Sequence, residues 1–226
     1  MFSVRHSVAT GDDFVKSAYL RLNGKLPTFT AGSTKYDSML AIGNIQIGVW
    51  ENASDWSSLR DSNILIGTVT ATDTFTLPTT VNYISKSQYD TVKITRLDGT
   101  VDEYATVPID ALHRYTGNYC AQKGRNLVFA QSFTSTSPQI GGTINAPVYL
   151  YASRLVDSSS TVPVDDPNWL IVASAAQAAS ASIVKQNMYP DLLQESSALM
   201  GNMISSDSSA QEQSIYSEPF IRGTEW

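Results

Sequence analysis

Residues 165–184 constrain the fold more than any other stretch of the chain. Asp165-Asp166-Pro167-Asn168-Trp169 offers an acidic cap and then a proline, whose fixed φ and missing N–H suit the first turn of a helix. Leu170, Val172, Ala173, Ala176, Ser180, Ile183 and Val184 follow at helical spacing. The run from Ala173 to Ser182 contains only Ala, Ser and one Gln, so neighbouring helices can approach its axis closely on several sides. A helix of this kind implies a crowded site: either the core of its own subunit, or a surface on which other subunits settle. The spacing predicts that it runs to Met188-Tyr189-Pro190, where Asp191 opens a further helix through Leu192, Leu193, Leu199, Met200, Met203 and Ile204.

Helices are expected at the other end of the chain too. One starts after Thr10-Gly11-Asp12, carries Phe14, Ala18 and Leu22, and stops at Asn23-Gly24. A longer one runs from a Ser33/Thr34 cap to about Trp50, with Tyr36, Leu40, Ile47 and Trp50 recurring at helical spacing. Gly43 and Gly48 each cost such a helix ~1 kcal/mol relative to Ala, which implies close approach of a neighbouring backbone or an earlier end.

Between these ends the period changes to that of strands, at Ile64–Thr70, Thr74–Pro78, Asn126–Phe133 and Ala146–Leu155. Asp98-Gly99 reads as a two-residue hairpin turn that pairs Leu97 with Thr100 and sets Arg96 beside Val101 and diagonally near Glu103. Pro108–Tyr115 reads as a single helical turn, and Thr134–Gly142 as a polar loop. Ser205–Trp226 is rich in Ser, Gln and Glu, with isolated Ile215, Tyr216, Phe220 and Trp226, and reads as an arm. The expected fold is therefore α+β: a helical bundle formed by the N- and C-terminal helices, with an inserted small antiparallel β module and an extended C-terminal arm. Its parts are residues 1–60 (helical), 61–160 (β module), 161–204 (helices packing on the first part) and 205–226 (arm).

Composition narrows the chemistry. Fifteen Lys and Arg against 21 Asp and Glu leave a net charge of −6, which argues against a protein that grips nucleic acid by releasing its counterions. Charged residues make up only 16%, below the ~25% of an average soluble domain, so the surface is polar yet sparsely charged. A single cysteine, Cys120, forms no internal disulfide, and two histidines, His6 and His113, are too few for a zinc site or a His-dependent triad. The acid pairs Asp12/Asp13 and Asp165/Asp166 lie where helix N-termini attract negative charge, and Asp102/Glu103 point to opposite faces of a strand. Asp110 and His113 share a helical face, but two ligands do not make a metal site. No Gly-x-Ser-x-Gly elbow and no glycine-rich phosphate loop occurs. Hence no catalytic, cofactor-binding or metal-ligating residue is expected, and no enzymatic activity. With no signal-peptide core and no apolar run of ~18 residues, the chain is expected to fold in the cytoplasm and not to engage a membrane.

The order of elements, with Tyr36-Asp37-Ser38-Met39-Leu40 in the first helical part, Phe75-Thr76-Leu77-Pro78 leading into the strands, and Val162-Pro163-Val164-Asp165-Asp166-Pro167-Asn168-Trp169-Leu170 leading into the Ala-rich helix, resembles the head-to-tail adaptor (connector) proteins of tailed bacteriophages. The resemblance spans roughly residues 10–205. It implies a structural virion protein of the neck, assembled in the host cytoplasm: a homo-oligomeric ring, typically a dodecamer, seated beneath the portal protein. Such a ring joins the capsid to the next neck or tail protein, and the genomic DNA passes through its lumen without specific binding. An acidic lumen suits that role, because it repels phosphates. Trp169, Ala173, Ala176, Ser180, Ile215, Tyr216, Phe220 and Trp226 are the residues expected at the oligomer or portal interface. Two other readings stand beside it: a different neck or tail component, such as a tail-completion or tube protein, and a carbohydrate-binding module using Tyr149 and Tyr151.

Overall fold

The structure is a computed structural model that describes residues 10–87 and 89–216. The chain divides into two compact units, residues 1–58 with 152–226, and residues 59–151.

In the first unit the local sequence sets each helix. Helix α1 (Gly11–Asn23) is capped by Thr10, whose hydroxyl accepts from the Asp13 amide, and it ends at Gly24 in the left-handed conformation. Helix α2 (Thr34–Glu51) is capped by Ser33. Helix α3 (Pro167–Ser180) has Asp166 as its cap, accepting from the Asn168 amide, with the proline in its first turn. Helix α4 (Tyr189–Tyr216) is the longest, at 28 residues, or about 42 Å. Helices α1, α2 and α4 all pack on α3. Nine of the fourteen α3 residues are buried, including every residue from Trp169 to Ala176. Phe14, Val15 and Ala18 of α1, Leu40, Ile47 and Trp50 of α2, and Leu192 of α4 complete the interior. Trp56 stacks on Trp50 with ring centroids 5.2 Å apart and donates its indole N–H to the Trp50 carbonyl at 2.6 Å.

The second unit is one eight-stranded sheet, curled into a half-barrel: β1 (Arg60–Thr68), β2 (Thr74–Thr76), β3 (Val81–Ile84), β4 (Thr91–Thr95), β5 (Val101–Thr106), β6 (Tyr119–Lys123), β7 (Asn126–Phe129) and β8 (Thr143–Leu150). The order is β1-β8-β4-β5-β6-β7-β2, with β3 also on β8. One edge of β8 serves two strands in turn, β4 through Thr143–Asn145 and β3 through Val148–Leu150, while β1 covers the other edge. Pro147, which has no N–H to give a ladder, sits at that changeover, and its carbonyl accepts from the Ser85 amide. Arg125 turns its guanidinium onto the carbonyls of Leu77, Pro78 and Val81, and the Gln122 side chain holds the Ile84 amide at 2.8 Å. These side chains satisfy backbone groups of β3 and the segment before it that no strand pairs. In the core of this unit Phe75, Tyr104, Phe129 and Phe133 form a cluster of edge-on and tilted rings among Val81, Ile94, Leu127, Ile144 and Val148.

The expected helical bundle with a small antiparallel β module and an extended arm is not the fold. The chain is a mixed α/β protein in which the curled sheet is the largest single element. The sheet outgrows the expectation because β3 and β6, only four and five residues long, carry too little alternation to read as strands. It is not wholly antiparallel, since the segment after β5 crosses back through a short turn at Leu112–Arg114 and brings β6 alongside β5 in parallel. Residues 205–216 are not extended. They continue α4, where Ser205 and Ser208 return their hydroxyls to the Gly201 and Ile204 carbonyls and no proline or glycine intervenes.

Candidate functional site

The acid pairs singled out in the sequence serve as local ties. Asp13 accepts from the Thr10 hydroxyl, Asp12 pairs with Lys16, and Asp166 caps α3. Asp165 accepts from the Ser58 hydroxyl at 3.1 Å, and burial pushes its carboxyl above the usual range. Asp102 and Glu103 do diverge: Glu103 faces Lys93 on the outside at 3.3 Å, while Asp102 turns inward. There it takes both arms of Arg96, at 2.6 and 2.7 Å, and the Gln139 amide at 3.0 Å. Arg96 holds the Asp102 carboxyl below the ordinary carboxylate value, despite partial burial. Next along the same face, the Tyr104 hydroxyl accepts from Gln131 at 3.0 Å, and burial pushes its pKa up to about 12. Cys120 is buried, and its thiol is likewise pushed up to about 12 by desolvation. Among the described residues, no three His, Cys, Asp or Glu are placed to hold a metal ion, and no helix is long and apolar enough to cross a membrane.

Of the residues expected at an interface, Trp169, Ala173 and Ala176 are buried inside the helical unit, so the small-residue helix is the core helix of its own subunit. Ser180 is exposed at the end of α3 and bonds back to the Gln177 carbonyl. Ile215 and Tyr216 are the last two positions of α4. Phe220 and Trp226 lie outside the described residues. Tyr149 is buried and stacked on Tyr83 at 4.9 Å, which removes half of the aromatic pair considered for sugar stacking. Tyr151 is exposed, with the Arg125 guanidinium 5.9 Å from its ring.

Two apolar patches of the helical unit were not anticipated. The α3–α4 turn does not continue α3: backbone bonds from Ala181, Ser182 and Lys185 tighten the chain after Ser180. This leaves Ile183 94% and Val184 82% exposed at the tip. On α2, Ala41, Ile45 and Val49 form an outward stripe in which Ile45 and Val49 are still 57% and 50% exposed. Each large aliphatic side chain left in water forgoes ~1.5–3 kcal/mol of burial. The α2 stripe had a signal in the sequence, because no charged residue occurs from Ser38 to Trp50, and a helix apolar on all sides is ordinarily covered. The tip has none, since Ile183 and Val184 fit the helical spacing of α3.

Charge divides unevenly between the units. Residues 59–151 hold seven acidic and seven basic side chains, so the whole −6 belongs to the helical unit.

No family model matches the chain, and no curated protein matches it.

Proposed function

We propose that this chain is the repeating subunit of a ring that joins a phage capsid to its tail, bound beneath the portal, with the genome passing through the lumen. The observation that carries this reading is the partition of charge. A neutral β unit and a helical unit with six surplus acids suit a subunit that turns its acidic part toward a passing duplex, where repulsion keeps phosphates from sticking. The order of elements along the chain, and the lead-in from Val162 to Leu170, support the same assignment. The work of such a subunit is mechanical: it holds two larger assemblies in register.

The test is assembly. The purified chain, mixed with capsids that carry a portal, is expected to sediment with them and to appear as a ring at one vertex. The ring alone is expected to weigh about 295 kDa if dodecameric, from 24.6-kDa subunits. Sedimentation with isolated tails and not with capsids would assign the chain to a different neck or tail position.

A further inference from the structure

Helix α4 changes character at Met203. Up to that point it packs into the helical unit, with Leu192, Ser196 and Met203 buried. Beyond it none of the described α4 side chains is buried, yet the helix runs on to Tyr216. A helix half without a buried face draws little stability from packing.

A side chain one turn past Met203 ties this outer half back. Asp207 accepts from the Ser57 hydroxyl, and the Ser57 amide lies 3.2 and 3.4 Å from its two carboxylate oxygens. The next residue is held in the same way from another element: the Ser58 hydroxyl donates at 3.1 Å to Asp165, which precedes the cap of α3. Two carboxylates from separate elements therefore close on two successive serines. Hydrogen bonds to an ionised acceptor are roughly twice as strong as neutral ones. We propose that these carboxylates form a latch on the outer half of α4, closed by Asp207 on Ser57 and tuned by the charge of Asp165. The latch lies within the helical unit and does not draw on the ring reading.

The groups facing Asp165 set the sign of its pH dependence. The short turn Ser57–Leu59 presents the neutral hydroxyls of Ser57 and Ser58, and α4 presents Asp207. Asp166, next in the chain, is turned to the Asn168 amide. Burial, and to a lesser extent the charge of Asp207, hold the Asp165 carboxyl above its ordinary value, against the Ser58 hydrogen bond, which favours the anion. A carboxyl raised in the folded state contributes stability that is full below its unfolded value, ~3.9, and is lost as the pH rises through the folded value. A proton on Asp165 removes its repulsion of Asp207 and leaves the Asp207–Ser57 bonds in place. The latch is thus tightest while Asp165 carries a proton and Asp207 does not.

Hydrogen exchange of the full chain, read by mass spectrometry and corrected for the intrinsic pH dependence of exchange, tests this. In the wild type, the amides of residues 204–211 are expected to lose protection from pH ~5 to ~8, while those of α3 keep theirs. Asp207→Ala is expected to lower protection at 204–211 about tenfold throughout, with α3 unchanged. Ser57→Ala, which spares the Ser57 amide, is expected to give a smaller loss in the same segment. Asp165→Asn is expected to hold protection at the acid level at every pH. Unchanged exchange at 204–211 in both Asp207→Ala and Ser57→Ala overturns the latch. A loss spread equally over α3 does so too, because Asp207 would then belong to the core of the unit. A pH dependence that survives Asp165→Asn overturns the role given to its charge.

Discussion

Gly43 illustrates how one missing atom sets the packing of the helical unit. A Cβ at this position would lie 2.7 Å from the Phe14 ring, closer than any real contact, so α1 and α2 meet here only because the side chain is absent. Gly43→Ala is expected to destabilise the protein by about 1–3 kcal/mol, measured by urea unfolding. Gly48→Ala, at a helical position with open space, is expected to stabilise it by up to ~1 kcal/mol in the same assay. The sequence showed two equivalent costs at these glycines and offered close approach or an early helix end as the reason. Only the structure separates them, since the obstacle at Gly43 is the ring of Phe14, 29 positions away along the chain, and not a backbone.

At the scale of elements, the β4–β5 hairpin shows what a one-residue difference does. Asp98-Gly99 did mark the turn, but the loop has three residues: Arg96 pairs with Thr100, only Gly99 takes a positive φ, and the strands are registered Ile94 to Asp102 and Thr95 to Val101. Shifting register by one exchanges the two faces. Arg96 therefore points inward with Ile94 and finds Asp102, where the two-residue turn would have set it near Glu103.

This pairing has a pH signature. Because the folded protein holds the Asp102 carboxyl below its unfolded value, the pair contributes stability above pH ~4 that is lost as the pH falls through the lowered folded value. Asp102→Asn is thus expected to lower the melting temperature at pH 7, with the gap to the wild type closing below pH 4. Thermal melts at a series of pH values would show it.

Helices with caps were legible in the sequence nearly residue by residue, as with Thr10, Ser33 and Asp166, because a cap is a local device. Strands β3 and β6 were not, because their existence depends on partners far along the chain: Val148–Leu150 for β3, and Ala105 and Thr106 for one edge of β6. Nor was the end of α3 legible. Ser180 is followed by residues at good helical spacing, and only the turn back toward α4 fixes the stop.

At the scale of the whole molecule, the chain alternates between two interiors of different kinds. The helical unit is built from both termini and needs α1 to α4 together, since α3 is buried on nearly every side. The β unit is one continuous segment with its own aromatic core. Residues 59–151 expressed alone are expected to fold, with a cooperative thermal transition and a strand-type circular dichroism spectrum; a non-cooperative melt would show that the sheet needs the helices to hold its curl. Burial, unlike helix capping, was not legible at the positions expected to form an interface. Trp169, Ala173 and Ala176 stand out in the sequence as small or aromatic residues, and only the packing of α1, α2 and α4 around α3 shows that they lie in the interior of the helical unit.

Arg60 lies opposite Tyr149 on neighbouring strands, so the β unit begins and finishes at points about one strand spacing, ~4.8 Å, apart. The segment is therefore a loop of 93 residues hung from a gap that two or three residues would bridge. Residues 59–151 can therefore be exchanged or deleted as one cassette, a short linker keeping the spacing at which the chain leaves and re-enters the helical unit.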